Sequence, residues 1–429
     1  KRDIGGDYVE KPSVSVVKTN HQTRRYELSS PLRQIELSND GRYALVWGQP
    51  TSDGTSGLLN DPNRVALIDL DQEPSASNPL ERTLKATGGA INAVLIIPPV
   101  SFGVSQYPIA LFSFSSGLNV WDLAHPANED ITVEGLSVRG TFQLKRVAVD
   151  SKNAQIYLVQ EGQSDLRVLS LAERDPNGTN EFRLVLNQLP LGTNSASDMA
   201  FYAEFGVPKV LVVAGTRLGI IDANDGRVSS VSLPVAGERL YSFVGRSPND
   251  NDVKQRVLVW GEGQSSVSFV ELDNLEKAGA QNIETLPLGG AFVLMKLIAL
   301  SDHLMLTVLK GGGIGTLDLE SRRFRPLSSD VELSAPAIES DARRVWVGGG
   351  AQNGASRIGY FAPATLATES LLLDSAVQEL FLFERDDMRR VVVSHESLLG
   401  EVTIVDAAKP SRSNATVLTG FLASGWGDR

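Results

Sequence analysis

One short pattern of strands and turns recurs along the chain and restricts its fold more than any other feature. In the first copy, the polar turn Ser38–Arg42 leads into the apolar strand Tyr43–Gly48, and a later apolar strand, Arg64–Leu70, ends at an acid. The end of this third strand recurs at intervals of 43 to 53 residues. The eight positions that mark it are Asp69, Asp122, Ser170, Asp222, Glu271, Asp318, Phe361 and Asp406.

This period predicts an all-β propeller. Four short strands per unit, without a convincing helical pattern, are typical of propeller blades and not of a helical solenoid or a βαβ fold. Eight markers predict a single domain of eight four-stranded blades. Seven blades are the alternative, because the third and seventh units, marked by Ser170 and Phe361, are weaker copies of the pattern.

The same pattern divides the chain into segments. Residues 1–12 are polar and lack a strand period, which predicts an N-terminal arm or tether. Residues 13–429 form the predicted propeller, with the blades in 31–429. Within residues 13–30, the alternating stretch Val14–Leu28 predicts strands, and we expect it to close the ring by joining the last unit near 401–419.

Charge and cysteine content exclude several classes of function. The chain has 40 Lys and Arg against 51 Asp and Glu, a net charge of −11, and no run of five or six basic residues. A nucleic-acid partner is therefore not predicted, and the acidic surface favours solubility. Because there is no Cys, disulfides, thiolate metal sites and cysteine nucleophiles are excluded.

The expected location is the bacterial cell envelope. The chain starts at Lys1 and has no apolar run of 18 residues. We expect a mature exported protein of a Gram-negative bacterium, in the periplasm or associated with the outer membrane, with a lipid anchor upstream of Lys1 as one form of attachment. A cytoplasmic location stays open, since both compartments hold proteins without Cys.

Two stretches carry a family resemblance. The turn Ser38-Asn39-Asp40-Gly41-Arg42-Tyr43 resembles the Ser-Pro-Asp-Gly turn of the WD40-like, TolB and YVTN-type bacterial propellers, and Val120-Trp121-Asp122-Leu123 resembles their third-strand ending. The resemblance implies a fold, and it implies a binding platform, because most members of these families are scaffolds. The chain departs from eukaryotic WD40 proteins, since Trp-Asp occurs once and no regular Gly-His pair precedes it.

Stretches that look like reactive motifs are better explained as turns. The glycine-rich Lys310–Gly315 is followed by a strand and not by the helix N-terminus that a phosphate loop requires. Asp222–Gly226 has acids like those of a calcium loop but lacks the later Glu, and is typical of a tight hairpin. The sequence predicts no catalytic, cofactor-binding or metal-binding residue and no cofactor. The histidines lie in different units without ligand spacing: His21, His125, His303 and His395.

We therefore predict a non-catalytic propeller scaffold that mediates protein–protein interaction in a cell-envelope assembly, as a subunit of a larger complex. Other envelope proteins are the expected partners, bound through the long loops at 49–63, 98–107 and 245–254. One alternative is a propeller enzyme, a polysaccharide lyase or glycosidase with carboxylates at the central channel. The other is a carbohydrate-binding propeller, which would need exposed aromatic side chains at loop tips.

Overall fold

The computed structural model describes residues 12–419 of the chain, with gaps. Within the described residues the protein is all-β apart from one 3-10 turn at Arg412–Asn414, and no helix there is long and apolar enough to cross a membrane. The chain divides into two compact units, Lys1–Ser230 and Val231–Arg429. The gaps are 18–22, 33, 49–61, 86–88, 134–135, 137–141, 173–181, 192–194, 203–207, 248–249, 273–282, 290–293, 302, 311–313, 328–336, 340–342, 349–355, 364, 366, 386–387 and 396–399.

The first unit contains a hairpin and the sheets of blades 1 to 4. The hairpin is β1 (Ser13–Val17) and β2 (Thr23–Glu27). Blade 1 is β3 (Gln34–Leu37), β4 (Tyr43–Trp47), β5 (Arg64–Asp69) and β6 (Leu80–Thr83), and blade 2 is β7 (Ile91–Phe102), β8 (Ser105–Phe114), β9 (Gly117–Asp122) and β10 (Ile131–Thr132). Blade 3 is β11 (Leu144–Asp150), β12 (Gln155–Gln160), β13 (Asp165–Ala172) and β14 (Arg183–Pro190). Blade 4 is β15 (Asp198–Tyr202), β16 (Lys209–Asp222) and β17 (Val228–Gly237), with the division between the units inside β17.

The second unit contains blades 5 to 8. Blade 5 is β18 (Arg239–Ser247), β19 (Asp250–Trp260), β20 (Ser266–Glu271) and β21 (Ile283–Pro287). Blade 6 is β22 (Leu294–Ser301), β23 (Leu304–Leu309), β24 (Ile314–Asp318) and β25 (Arg323–Leu327). Blade 7 is β26 (Ala337–Ile338), β27 (Val345–Gly348), β28 (Arg357–Ala362) and β29 (Ala367–Leu372). Blade 8 is β30 (Val377–Arg385), β31 (Met388–His395), β32 (Glu401–Asp406) and β33 (Thr416–Thr419).

The fold is an eight-bladed β-propeller, as predicted, and the alternative of seven blades is wrong. In each blade the strands are neighbours in sequence order, and the pairs are antiparallel. Blade 4 consists of three continuous strands, but the long strand β16 turns back on itself at Gly215, whose φ is +59°. A Cβ built on Gly219 lies 3.6 Å from the carbonyl oxygen of Val212, so the two halves of β16 lie side by side as two blade strands.

Alternation along each strand gives a blade two apolar faces. On β4, Tyr43, Leu45 and Trp47 pack with residues of blade 2, whereas Ala44 and Val46 belong to a cluster on the opposite face of blade 1. Successive side chains of a strand point to opposite faces, so every sheet can be covered on both sides by neighbours. This explains why the predicted blade strands are continuous apolar runs with few polar positions.

Within each unit, one apolar cluster joins each consecutive pair of blades. Blades 2 and 3 share a cluster that contains Ile109 and Ile156, and blades 3 and 4 share one that contains Val159 and Val212. The second unit has corresponding clusters. Blades 5 and 6 share one that contains Phe269 and Leu317, blades 6 and 7 share one that contains Leu306 and Val347, and blades 7 and 8 share one that contains Trp346 and Val391. Burial of these side chains is the main favourable term that holds neighbouring blades together.

The acid that marks the third strand in the sequence has a structural role. Where it is Asp, one carboxylate oxygen accepts the backbone N–H of the residue two positions later, over 2.8 to 3.0 Å. The bond fixes the turn between the third and fourth strands, a capping role that suits the short Asp side chain. The pairs of acceptor and donor are Asp69 and Asp71, Asp122 and Ala124, Asp222 and Asn224, Asp318 and Glu320, and Asp406 and Ala408.

The N-terminal segment that was predicted to close the ring contains a hairpin of its own. β1 pairs with β2 over five residue pairs, and the four described strands of blade 8 lie in Val377–Thr419, where β33 pairs with β32. The hairpin packs through Tyr26 onto blade 1, where Ala44 and Ala66 leave room for its ring. Closure of the ring by this segment stays a prediction.

Candidate interaction surface

The three segments predicted as partner-binding loops are described to different extents. Most of the first, residues 49–61, lies outside the described residues. The third, 245–254, is the end of the β18–β19 hairpin, and its tip at 248–249 also lies outside them. The second, 98–107, is fully described. The prediction of a loop there is wrong, because the segment is the end of the long hairpin formed by β7 and β8.

The tip of the β7–β8 hairpin is a tight turn. The last ladder pairs are Val100 with Tyr107, Ser101 with Gln106 and Phe102 with Ser105, which leaves Gly103 and Val104 as the turn residues. Gly103 has a φ of +62°, a left-handed conformation that glycine adopts without steric cost and that two-residue hairpin turns favour. The segment is therefore ordered up to its tip by main-chain pairing.

Two prolines reshape the hairpin below the tip. The register of β7 against β8 shifts between Ile97 and Val100, and Pro98 and Pro99 occupy this bulge. Proline has no N–H to donate to a ladder, so it is tolerated in a sheet at such bulges.

A turn of the neighbouring blade braces the bulge. Ser151 lies in the turn between β11 and β12 of blade 3, and its hydroxyl donates a hydrogen bond to the carbonyl of Pro99 over 2.9 Å. Its own carbonyl accepts the N–H of Ser101 over 3.1 Å. The same turn is held by Asp150, which accepts the N–H groups of Lys152 and Asn153. The hairpin is thus fixed at its bulge by blade 3.

The two sides of the hairpin have different environments. Val100 and Tyr107 are buried, and the ring of Tyr107 contacts Phe182 edge-on with 5.3 Å between ring centroids. Val104 is fully exposed at the tip, and Pro98 and Pro99 are exposed on the bulge. A rigid hairpin therefore presents apolar side chains to solvent, which is the arrangement expected of a contact site. We call these three exposed residues, Pro98, Pro99 and Val104, the apolar tip.

A polar pair lies beside the base of the hairpin. His125 is half-exposed, and its Nδ1 lies 2.8 Å from Oδ2 of Asp122, while Oδ1 of the same carboxylate accepts the N–H of Ala124. The imidazole ring is 6.2 Å from the ring of Tyr107, measured between centroids. The carboxylate holds the imidazole in place, so His125 offers an oriented polar group beside Tyr107.

The conspicuous motif at Ser38–Tyr43 is a hairpin turn, as predicted. The hydroxyl of Ser38 donates to Oδ1 of Asp40 over 2.5 Å and accepts the N–H of Tyr43 over 2.8 Å. Gly41 has a φ of +69°, which explains the glycine in this turn. Asp222–Gly226 is likewise a turn, with Gly226 donating to the carbonyl of Asp222. The predicted turn at Lys310–Gly315 has residues 311–313 outside the described part of the chain.

The Ser38–Asp40 contact should make a small contribution to stability that depends on pH. The hydrogen bond from Ser38, together with that from the N–H of Arg42, lowers the pKa of Asp40 below its ordinary value of 3.8. A carboxyl with a lowered pKa in the folded state stabilises the fold above its unfolded pKa, and this contribution disappears as the pH falls through the folded pKa. We expect Asp40→Asn to be less stable than wild type near neutral pH, and the difference in urea midpoint to vanish below the folded pKa. A difference that persists unchanged in strong acid would contradict the assignment.

The described carboxyl groups whose pKa is displaced are all displaced downward. The causes are hydrogen bonds from Ser38 to Asp40, from Lys85 to Glu129 and from Arg227 to Asp225, while at Asp406 burial raises the pKa and hydrogen bonds from Arg390 and Ala408 lower it by more. A glycosidase or lyase needs a carboxyl with a raised pKa as general acid. None of these four groups has the raised pKa of such a general acid.

The histidines do not share a site within the described residues. His303 lies near Glu320, whereas His395 contacts the hydroxyl of Thr403 and the carbonyls of Ser375 and Ala376; His21 lies outside the described part. No group of three or more potential metal ligands occurs among the described residues.

The four tryptophans that the structure describes lie within strands. Trp47, Trp121, Trp260 and Trp346 are buried in β4, β9, β19 and β27, and Trp426 lies outside the described residues. The four buried indoles therefore do not provide the exposed platforms that carbohydrate binding would require.

Comparison with known proteins supports the fold. No protein-family model matches the chain, and no curated protein matches it significantly. Among solved structures, dihydro-heme d1 dehydrogenase NirN in complex with DHE has a TM-score of 0.51 and 12% sequence identity, over 87% of this chain and 77% of that one.

Two WD40 structures are also similar. The WD40 repeats of RRP9 align over 73% of this chain and 89% of that one, with 10% identity and a TM-score of 0.42. The Neurospora crassa Pan2 WD40 domain aligns over 64% and 78%, with 10% identity and a TM-score of 0.38. At such low identity the likeness is one of fold alone, and it agrees with the propeller fold predicted from the sequence.

Proposed function

We propose that this protein is a non-catalytic β-propeller scaffold that binds a protein partner through the apolar tip of its β7–β8 hairpin. The observation that carries the proposal is the fully exposed Val104 at the end of a strand pair that is braced by Ser151. Neighbouring apolar side chains exposed on a preorganised support are a candidate protein-contact site.

The rigidity of the hairpin favours tight binding. A flexible loop loses conformational entropy when it binds, whereas a segment already held by ladder pairs and by Ser151 loses little. The pair of Asp122 and His125 supplies oriented polar groups at the edge of the contact. Such a polar edge around an apolar centre is typical of protein interfaces.

The partner is proposed to be another cell-envelope protein of a Gram-negative bacterium, in the periplasm or at the outer membrane. The support for this part is the likeness of the turn Ser38–Tyr43 to the turns of bacterial TolB and YVTN-type propellers, together with an acidic chain of net charge −11. Fractionation of native cells with an antibody against the chain tests it. Recovery in the cytoplasmic fraction would contradict it.

Substitution of Val104 tests the binding site. We expect wild-type protein to retain a partner through purification from native membranes, and Val104→Lys to recover at least about tenfold less of it, because a Lys ammonium would have to be desolvated at the interface. Val417→Lys is the matched control, since Val417 is an exposed valine on β33 of blade 8. Equal recovery by both variants would overturn the assignment to the hairpin. Turnover of a polysaccharide by the purified protein would overturn the scaffold itself.

A further inference from the structure

The outermost strand of blade 3 is unusual among the outer strands of this protein. β14 is eight residues long, and each of its residues pairs with β13 in an unbroken register from Arg183 with Ala172 to Pro190 with Asp165. Its sequence, RLVLNQLP, carries one charge, at the first position. It is the last strand in its sheet, so one side of its main chain has no strand partner among the described strands.

The hydrogen-bond pattern identifies the groups on the open side. Leu191 donates its N–H to the carbonyl of Ser164, which continues the ladder between β14 and β13. Main-chain groups of an antiparallel strand alternate between its two neighbours, so the odd-numbered residues of β14 bond to β13. The N–H groups of Leu184, Leu186 and Gln188 therefore point outward, and at Pro190, the next outward position, there is no N–H.

Other outer strands have the features that usually prevent edge pairing. Natural sheets protect their edges by short strands, charged residues and prolines. In this chain β10 and β33 are short, with two and four residues. The strands β6, of four residues, and β25, of five residues, carry charged side chains, and β17 contains Pro234. The segment Leu184–Gln188 has none of these protections within it.

We propose that β14 is a homodimerisation edge, on which a second copy of this chain adds its own β14 in antiparallel orientation about a two-fold axis at Leu186. This inference goes beyond the proposed function and concerns a different blade. In this register Leu186 faces the partner's Leu186, and Leu184 faces the partner's Gln188. Each facing pair of outward residues exchanges two main-chain hydrogen bonds, so all three outward N–H groups of each copy are satisfied.

The side chains fit a second copy. Outward positions are symmetric about Leu186, which is the condition for the same surface to serve both partners of a two-fold contact. Arg183 faces the partner's Leu189, so the only charge of the strand meets no like charge. Val185, exposed on the open strand, faces the partner's Asn187. Pro190 limits the pairing to this segment and prevents extension along the strand.

Sedimentation velocity of the full chain over about 5 to 200 µM tests the proposal, a range that covers the micromolar affinity expected of a small interface. We expect a dimer that increases with concentration for wild type. Gln188→Pro removes one outward N–H at an exposed side chain and should remain monomeric, while Gln188→Thr keeps the N–H and should dimerise like wild type. A monomeric wild type, or equal dimerisation of the two variants, would overturn the proposal.

A pair of charge variants keeps the test decisive if Gln188→Pro disturbs folding. Val185→Lys and Val185→Glu place like charges diagonally across the proposed two-fold axis, within reach of long side chains. We expect each variant alone to be monomeric and an equimolar mixture to dimerise. Dimers of either variant alone, or a mixture that stays monomeric, would contradict the proposed register. If the wild type were monomeric and a protein of different sequence bound to β14, the proposed homodimer would also be overturned. A β14 variant that no longer dimerises but still recovers the protein partner of the apolar tip would show that the two sites are separate.

Discussion

Replacement of Asp130 by alanine should lower the free energy of unfolding by about 3 to 5 kcal/mol, the range found when one partner of a buried ion pair is removed. The Asp130 side chain is fully buried at the start of β10 in blade 2. It accepts hydrogen bonds from the guanidinium of Arg82 and the N–H of Lys85, both from blade 1, and from the amide of Asn119 over 2.6 Å. Without the carboxylate, these three donors are left in a buried environment.

The adjacent acid provides a matched control. Glu129 precedes Asp130 in the chain and pairs with Nζ of Lys85 over 2.8 Å, but it is exposed. Glu129→Ala should therefore leave stability nearly unchanged, because exposed ion pairs are weak. Urea unfolding followed by tryptophan fluorescence is a suitable measurement, since the guanidinium of Arg82 lies 5.0 Å from the ring centre of Trp121. If Asp130→Ala were no more destabilising than Glu129→Ala, the carboxylate would not be the link between blades 1 and 2.

Replacement of Tyr26 by alanine should cost about 3 to 5 kcal/mol, the usual result of deleting a buried aromatic side chain. Tyr26 is fully buried against Ala44, Val46, Ala66 and Ile68, and removal of its ring leaves a cavity between the N-terminal hairpin and blade 1. Its hydroxyl also donates to the carbonyl of Gln72 over 2.9 Å.

Two further variants separate the ring from the hydroxyl. Tyr26→Phe keeps the ring and should cost only about 1 kcal/mol, the net value of one hydrogen bond. Thr23→Ala changes an exposed position of the same strand and should have little effect. Hydrogen exchange of the β1 and β2 amides should be accelerated in Tyr26→Ala alone. Unchanged protection there would show that the ring does not hold the hairpin on blade 1.

The success of the sequence-based prediction depended on how local the interactions are. The turn at Ser38–Tyr43 and the Asp caps of the third strands were predictable because their hydrogen bonds join residues two to five positions apart. Alternation within Val14–Leu28 located the N-terminal strands, but alternation does not show which strand each one pairs with. In the structure β1 pairs with β2.

The sequence predicted the position of the candidate interaction site, residues 98–107, but not its conformation. Residues 98–107 were predicted as a partner-binding loop, whereas the structure shows the end of a hairpin. The strand conformation there depends on Ser151, which lies 52 positions from Pro99 and carries no signal of its own. Asp130 gave no signal either, since Asn128–Asp130 has the composition of a surface turn, and its partner Arg82 lies 48 positions earlier.

By itself, the sequence determined the all-β class, the repeating blade unit and the short-range turns, because apolar alternation and polar turn residues recur within each unit, whereas the structure decided between seven and eight blades. Only the tertiary structure decided that 98–107 is a braced hairpin with an exposed Val104, that Tyr26 packs on blade 1, that Asp130 is buried and that β14 has an open edge. The brace on 98–107 and the burial of Asp130 arise where segments about 50 residues apart meet, and burial at such a contact is a property of both segments together.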